Sequence, residues 1–269
     1  MKFRLALAAI LLALPATAQA HRAWLLPSST MLSGDESWVT FDAAVSNELF
    51  YFNHAPLRLN GLTVTCPDGS EAQPENAATG KYRSTFDVHL DQQGTWKIAT
   101  GREGVFGGYM LNGERKRLPR GTSPDQIASA IPKEATDIRI RENLGRNEVF
   151  VTLGAPTETV FQPTGKGLEL VPVTHPNDLV ADEPARFRFL VDGKPAAGLK
   201  LTVIPGGIRY RDAVNQLELQ TDDAGEVSIE WPGPGMFWLE AETKDRNTTV
   251  PRATERGLSY ATTLEVMAP

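Results

Sequence analysis

The predicted fold rests first on two segments, VDGKPAAGLKLTV (residues 191–203) and TDDAGEVSI (residues 221–229). Each contains a glycine at a turn, and the residues after the turn alternate between apolar and polar. This alternation is the pattern of a β-strand with one buried face, and glycine supplies the positive φ angle that a tight hairpin needs. The segment PGMFWLEA (residues 234–241) continues the series. We therefore predict an antiparallel β-sandwich over residues 168–269.

The same alternation occurs in the first half of the chain, in WVTFDAAV (residues 38–45) and YRSTFDVHL (residues 82–90). Helical periodicity is scarce, so the chain is predicted to be all-β, with two antiparallel, Ig-like β-sandwich domains at residues 21–155 and 168–269. Residues 156–167, rich in Pro, Gly and Thr, are predicted to form a short linker. Residues 116–147 are charged and contain three prolines, which predicts a long insertion in the first domain with one short helix after Ser123.

The first 20 residues have the pattern of a secretory signal peptide. Lys2 and Arg4 precede an apolar run at residues 5–14, and Ala18-Gln19-Ala20 matches a small-x-small cleavage site. Cleavage after Ala20 would make His21 the first residue of the mature chain, and the expected location is the bacterial periplasm. No later stretch has the length and apolarity of a membrane helix, so no direct membrane insertion is expected.

The charge of the chain limits its expected partners. The formal net charge is −6, and loss of Lys2 and Arg4 with the signal peptide makes the mature chain more acidic. An acidic surface disfavours nucleic acid and anionic lipid as partners. Cys66 is the only cysteine, so no intrachain disulfide is possible, and the alternating residues around it predict a buried side chain.

His21 is the first candidate metal ligand. A mature amino-terminal histidine can chelate a cation through its α-amine and its ring Nδ1, which an internal histidine cannot do. His54 follows in the aromatic loop LFYFNHAP (residues 49–56), where it is a second ligand or is simply stacked on a neighbouring aromatic ring. His175, in the X-Pro turn VTHPND (residues 173–178), is a third ligand or an ordinary turn residue.

The predicted site is therefore rich in nitrogen. It joins His21 and His54, with His175 or a carboxylate such as Asp42 or Glu48 completing the shell. Such a ligand set suits Cu(II) or Ni(II) best, with cobalt or iron as further candidates, and it is similar to the histidine brace of copper proteins. His89 alternates with apolar residues on its strand and is predicted to face solvent.

Several segments together carry a family resemblance, namely HRAWLLPS (residues 21–28), FDAAVSNELFYFNH (residues 41–54), LELVP (residues 168–172) and DGKPAAG (residues 192–198). They resemble a bacterial periplasmic domain-of-unknown-function family formerly labelled the NikM-like component of nickel/cobalt transport. The resemblance implies a periplasmic location and a metal ion as ligand. The C-terminal part also resembles carboxypeptidase-regulatory-like and Cna-B-like modules, which implies a sandwich fold but no particular function.

The predicted function is a periplasmic metal-binding accessory protein that delivers its ion, with a membrane transporter or receptor as the partner. No catalytic residue is predicted, because no nucleophile has an identifiable base. One alternative is a structural or ligand-binding β-sandwich in which His21 is incidental. A weaker alternative is a histidine-brace copper oxidase, which would require exposed aromatic residues around His21. Trp24 and Trp38 are the candidates for such a surface, or they are core residues.

Overall fold

The computed structural model describes residues 21–269, so the predicted signal peptide lies outside the described residues. The strands are β1 Arg22–Pro27, β2 Met31–Leu32, β3 Ser37–Ser46, β4 Ala55–Pro56, β5 Leu62–Thr65, β6 Glu71–Ala72, β7 Glu75–Thr79, β8 Ser84–Leu90, β9 Gly94–Leu111, β10 Glu114–Arg117, β11 Thr136–Leu153, β12 Leu168–Pro172, β13 Ala185–Val191, β14 Lys194–Pro195, β15 Lys200–Pro205, β16 Leu217–Gln220, β17 Glu226–Ile229, β18 Gly235–Asp245 and β19 Glu255–Val266. The helical segments are α1 Ile127–Ala130 and the 3₁₀ turns Pro124–Gln126, Thr159–Phe161 and Ile208–Tyr210. The all-β prediction is confirmed.

The strands form three sheets. The N-terminal sheet has the order β1-β3-β8-β7, with β4 also pairing with β3. The central sheet has ten strands in the order β16-β15-β18-β19-β11-β9-β5-β6, with β10 beside β9 and β2 beside β11. The C-terminal sheet has the order β12-β13-β14, with β17 beside β13. The N-terminal and C-terminal sheets each cover part of the central sheet, which creates two sandwiches.

The two sandwiches share the central sheet. Strand β11, from the middle of the chain, pairs in parallel with β19, the last strand, so that Arg141 lies opposite Glu255 and Val149 opposite Thr263. Residues 156–167, predicted as the linker between the two sandwiches, contain a buried 3₁₀ turn in which Val160 and Phe161 pack against Phe150.

Two apolar cores fill the sandwiches. The core between the N-terminal and central sheets includes Phe41, Phe86 and Trp96, and Cys66 is buried there as predicted. The core between the central and C-terminal sheets includes Phe187, Phe189, Leu201, Leu239 and Tyr260. Burial of large side chains on this scale supplies the main favourable free energy of folding.

A smaller apolar cluster joins the first strand to the second half of the chain. Trp24 of β1 and Ala44 of β3 pack with Ile204, Trp238 and Ala261 of the central sheet. Because all five are buried, β1 is fixed by contacts with residues 180 or more positions away in sequence. This cluster determines where the residue immediately before β1 lies.

The strands β9 and β11 each have 18 residues and pair antiparallel from Gly94–Leu153 outward to Met110–Thr136. Their inner parts contribute to the first core, and their outer parts, from the pair Arg102–Gly145 to the pair Met110–Thr136, form an arm. On one face of the arm, Val105 and Ile140 pack with the segment that contains α1. The predicted insertion at residues 116–147 is therefore too long, because residues 136–147 are strand and only residues 118–135 lack strand structure.

No helix among residues 21–269 combines the length and apolarity needed to cross a membrane.

Candidate metal centre

The structure brings His21 and His54 into contact. Their ring centroids are 3.8 Å apart and their ring planes differ by 12°, which is a stacked arrangement. Both residues are exposed. Each immediately precedes a strand that pairs with the end of β3: Arg22 of β1 lies opposite Ser46, and Ala55 of β4 lies opposite Val45. The two imidazoles are therefore placed by strand pairing on either side of one strand end.

Hydrogen bonds fix the backbone on the His21 side. Trp24 Nε1 donates to Ser46 Oγ at 2.7 Å, and Trp238 Nε1 donates to the carbonyl oxygen of Ala23 at 3.0 Å. Arg22 Nη1 donates to the carbonyl oxygen of Asn47 at 3.2 Å. Because these bonds begin at the residue after His21, the ring of His21 is exposed while its attachment point is held.

The loop that carries His54 is also closed by hydrogen bonds. The backbone amide of Asn47 donates to Oδ1 of Asn53 at 3.0 Å, and Ser46 Oγ donates to the carbonyl oxygen of Glu48 at 2.6 Å. The loop then contacts the second half of the chain, where the guanidinium of Arg209 lies 4.2 Å from the ring centroid of Tyr51. Both sides of the histidine pair are thus attached to the same rigid framework.

The pair can hold a metal ion only if one ring turns and a third ligand is added. The nitrogen lone pairs lie in the planes of the rings, so two nearly parallel rings do not point at one position. One exposed ring therefore has to turn about its side-chain bonds. In addition, no third His, Cys, Asp or Glu joins the two imidazoles to form a ligand group within residues 21–269. Cleavage before His21, if it occurs as predicted, would create an α-amine that could complete a three-ligand set.

The structure does not bring His175, the predicted third ligand, together with His21 and His54. Its Nε2 is hydrogen-bonded to Thr95 Oγ1 at 2.9 Å, and its Nδ1 accepts from the backbone amide of Asn177 at 3.1 Å. Thr95 of β9 lies opposite Thr152 of β11, and on its other side Thr152 lies opposite Met31 of β2. Strand β2 follows the C-terminal end of β1, whereas His21 precedes its N-terminal end. The six residues of β1, about 20 Å of strand, therefore separate His175 from His21. Burial also lowers the pKa of His175, so the ring is a neutral structural group.

Asp42, Glu48 and His89 differ from one another in their contacts. Asp42 forms an ion pair with Arg83 at 3.1 Å, and burial raises the pKa of its carboxyl group more than Arg83 lowers it. One carboxylate oxygen of Glu48 is buried, with no hydrogen-bond partner among the described residues. His89 is partly exposed and stacks on Trp38, at 4.5 Å between ring centroids.

A titratable group near the site was not predicted from the sequence. Glu240 of β18 lies close enough to Arg22 for their charges to interact, and burial raises the pKa of its carboxyl group to about 7, with repulsion from Glu242 adding to the shift. Arg22 also lies over the ring of Trp238, 5.9 Å from its centroid. No local signal in the sequence could have identified Glu240, because the contact joins residues 218 positions apart.

Comparisons with known proteins give a family but no activity. No curated protein matches the sequence. Among solved structures, the chain is similar to the human OSCAR ligand-binding domain (12% identity, 92% of this chain and 100% of that chain, TM-score 0.19). It is also similar to the ectodomain of mouse nectin-like molecule 4 (9%, 93% and 65%, TM-score 0.21) and to Escherichia coli alpha-2-macroglobulin activated by porcine elastase (10%, 92% and 31%, TM-score 0.21). These scores are too low to transfer any property from those proteins. The family model for DUF4198, a domain of unknown function, matches residues 18–245, and the chain therefore belongs to this family.

Proposed function

We propose that this protein is exported to the periplasm and binds a divalent transition metal ion through the amino terminus and ring of His21 and the ring of His54. Copper or nickel is the favoured ion, with cobalt or iron as further candidates. The proposed role is binding and delivery to a membrane transporter or receptor, in line with the nickel/cobalt-transport label of the family that the sequence resembles. The observation that carries the proposal is the contact between two imidazoles, 33 residues apart in sequence, at 3.8 Å.

The backbones of both histidines are held by the hydrogen bonds of Ala23, Asn47 and Asn53, so binding one ion costs little backbone freedom. The two rings are already in contact, and one of them has only to turn about its side-chain bonds. Cleavage before His21 would add the amine as a third nitrogen, so the mature chain would bind more tightly than the uncleaved chain. A three-nitrogen set with open positions suits an ion that has to be released again.

The test uses the mature chain, residues 21–269, recovered from a periplasmic expression host and checked by intact mass. Calorimetric titrations with Cu(II) and Ni(II) are compared for this chain, for His54→Ala, and for a form with one alanine added before His21. His175→Ala and His89→Ala are the matched controls, because each removes one imidazole outside the proposed site.

We expect His54→Ala and the added alanine each to weaken binding by about tenfold or more, and the two controls to bind like the parent chain. Nitrogen hyperfine structure in the Cu(II) electron paramagnetic resonance spectrum should decrease in His54→Ala. Equal affinity of all five proteins, or a loss confined to His175→Ala, would contradict the proposal and favour a structural module in which His21 is incidental.

A further inference from the structure

The arm presents a basic face that the proposed metal site does not involve. Residues opposite each other on paired strands share a face, as do residues two positions apart on one strand. Gly108 of β9 lies opposite both Arg117 of β10 and Arg139 of β11, and Phe106 lies opposite Arg141. These arginines, together with Arg102 and Arg115, therefore lie on one face.

The opposite face of the arm is apolar and covered. Val105 and Ile140, at the alternate positions of β9 and β11, are buried against Leu118, Ile127 and Val250. The basic face has no such cover: the arginines are exposed, and Phe106 keeps 38% of its surface exposed among them. The alternation of arginine with apolar residues thus produces one structural face and one solvent face.

Two depressions lie along the basic face. One, of about 470 Å³, has Gly145 and Gly257 among its lining residues and is bordered by Arg102, Arg141 and Lys244. The other, of about 460 Å³, is lined by Phe106 and by Arg115, Arg117, Arg120 and Arg139. The guanidinium of Arg102 lies 5.7 Å from the ring centroid of Phe106, which places the two depressions end to end. Each has the volume of an ordinary small-molecule site.

The charge of this groove is opposite to that of the whole chain. Seven cations line the two depressions, against the single carboxylate of Glu242. Asp137 pairs with Arg115 and Arg139, and Glu255 pairs with Arg141 and Lys244. Arg102, Arg117 and Arg120 have no ion-pair partner among residues 21–269. The local excess of positive charge stands out on a chain of net charge −6.

Isolated surface arginines are usually only solvated. The glycines of the first depression are explained by packing alone: a Cβ on Gly145 would lie 2.9 Å from Ser259 Oγ, and a Cβ on Gly257 would lie 2.7 Å from Asn143 Oδ1. What distinguishes this face is that unpaired guanidiniums converge on two concave, connected spaces around an exposed aromatic ring. Guanidinium groups bind phosphate oxygens through two parallel hydrogen bonds.

We propose that the groove formed by the two depressions binds an extended, soluble ligand that carries several phosphate groups. Arg102 and the position opposite Arg117 are six residues apart on β9, about 20 Å, so one phosphate cannot contact both. A flat anionic membrane fits less well, because the cations border depressions and the net charge of the chain repels such a surface.

The test measures binding of inorganic tripolyphosphate and of long-chain inorganic polyphosphate to the mature chain at low ionic strength. The variant is Arg102→Ala/Arg117→Ala. The matched control, Arg58→Ala/Lys81→Ala, removes two cations from exposed positions outside the groove. The unfolding temperature of each protein shows whether the substitutions preserve the fold, which we expect because all four side chains are exposed.

We expect long-chain polyphosphate to bind more tightly than tripolyphosphate, and added salt to weaken the binding of both. The groove variant should lose about tenfold or more in affinity, and the control variant should lose much less. Equal losses in variant and control would overturn the proposal. So would binding only to phosphatidylglycerol vesicles, or preference for an oligonucleotide over polyphosphate. The metal titration of the histidine pair is unaffected by any of these outcomes.

Discussion

Trp238 Nε1 donates a 3.0 Å hydrogen bond to the carbonyl oxygen of Ala23, two residues after His21. The bond connects the eleven-residue strand β18 of the central sheet to the free edge of β1. Trp238 also packs with Trp24, so the same side chain contributes both a polar and an apolar contact to the position of the first strand. The position of the start of β1 therefore depends in part on Trp238, which lies near the end of the chain.

Trp238→Phe should remove this hydrogen bond and part of the packing. We expect a loss of unfolding free energy of about 2 kcal/mol and a several-fold loss of Cu(II) affinity, because the backbone beside His21 is released. Trp231→Phe is the matched control: Trp231 is also buried, but its Nε1 has no hydrogen-bond partner among the described residues. Denaturant unfolding and calorimetric titration measure both effects, and an equal response of the two variants would contradict the role of the hydrogen bond.

Arg256→Leu should be strongly destabilising. The Arg256 side chain is 4% exposed and pairs with Asp192 at 2.7 Å and Asp245 at 2.6 Å, so its removal leaves two partly buried carboxylates without a counter-charge. The expected loss is about 3–5 kcal/mol, against less than about 1 kcal/mol for Arg139→Leu, which removes an exposed ion pair with Asp137.

The same ion pairs predict the acid response. Hydrogen bonds from Arg256 lower the pKa of both Asp192 and Asp245. Their contribution to stability is therefore present above the ordinary aspartate pKa of about 4 and is lost as the pH falls through the lowered values. Unfolding free energies measured from neutral pH into this acid range should fall less steeply for Arg256→Leu than for the parent chain.

Much of the fold could be predicted from the sequence, because alternation and glycine turns are local signals. The pairing of β11 with β19 could not be predicted, since parallel strands more than 100 residues apart leave no turn between them to identify the pair. The sequence pattern predicts an insertion that includes the first part of β11, although Ile138 and Ile140 alternate with Arg139 and Arg141 as in a strand. The prolines and charges of the preceding segment concealed that strand, and with it the basic face of the arm.

The candidate site was predictable only in part. His21 and His54 were chosen for chemical reasons, a free amine and an aromatic loop, and the structure places their rings in contact. His175 is predicted on similar grounds, but its position depends on a hydrogen bond with Thr95, 80 residues earlier in the chain. Sequence reasoning identifies ligand types well and distances between them poorly.

Glu240→Gln should stabilise the protein at alkaline pH. The folded-state pKa of about 7 exceeds the ordinary value of 4.5, so the folded protein holds a proton that the unfolded chain has released, and stability falls as the pH rises between these values. Over the full interval this amounts to about 3 kcal/mol. The stability of Glu240→Gln relative to the parent should therefore rise by about 2–3 kcal/mol from pH 5 to pH 8. The exposed Glu230→Gln is the control, and a constant difference for Glu240→Gln would show that Glu240 is not desolvated in solution.

Gly107→Ala should disrupt the arm without unfolding the sandwiches. Gly107 has a φ of 136°, and a Cβ added there would lie 2.0 Å from the carbonyl oxygen of Arg139, so the pairing of β9 with β11 cannot persist unchanged at this point. Hydrogen exchange of the amides around Gly107 and Arg139 should accelerate by about tenfold or more, while exchange in the cores stays as in the parent chain. Gly101→Ala is the control, because a Cβ there meets no atom within 4 Å. Since the arginines of the groove depend on the same pairing, polyphosphate binding should weaken in Gly107→Ala and persist in Gly101→Ala. Unchanged exchange around Gly107 would mean that the arm does not pair in solution as described.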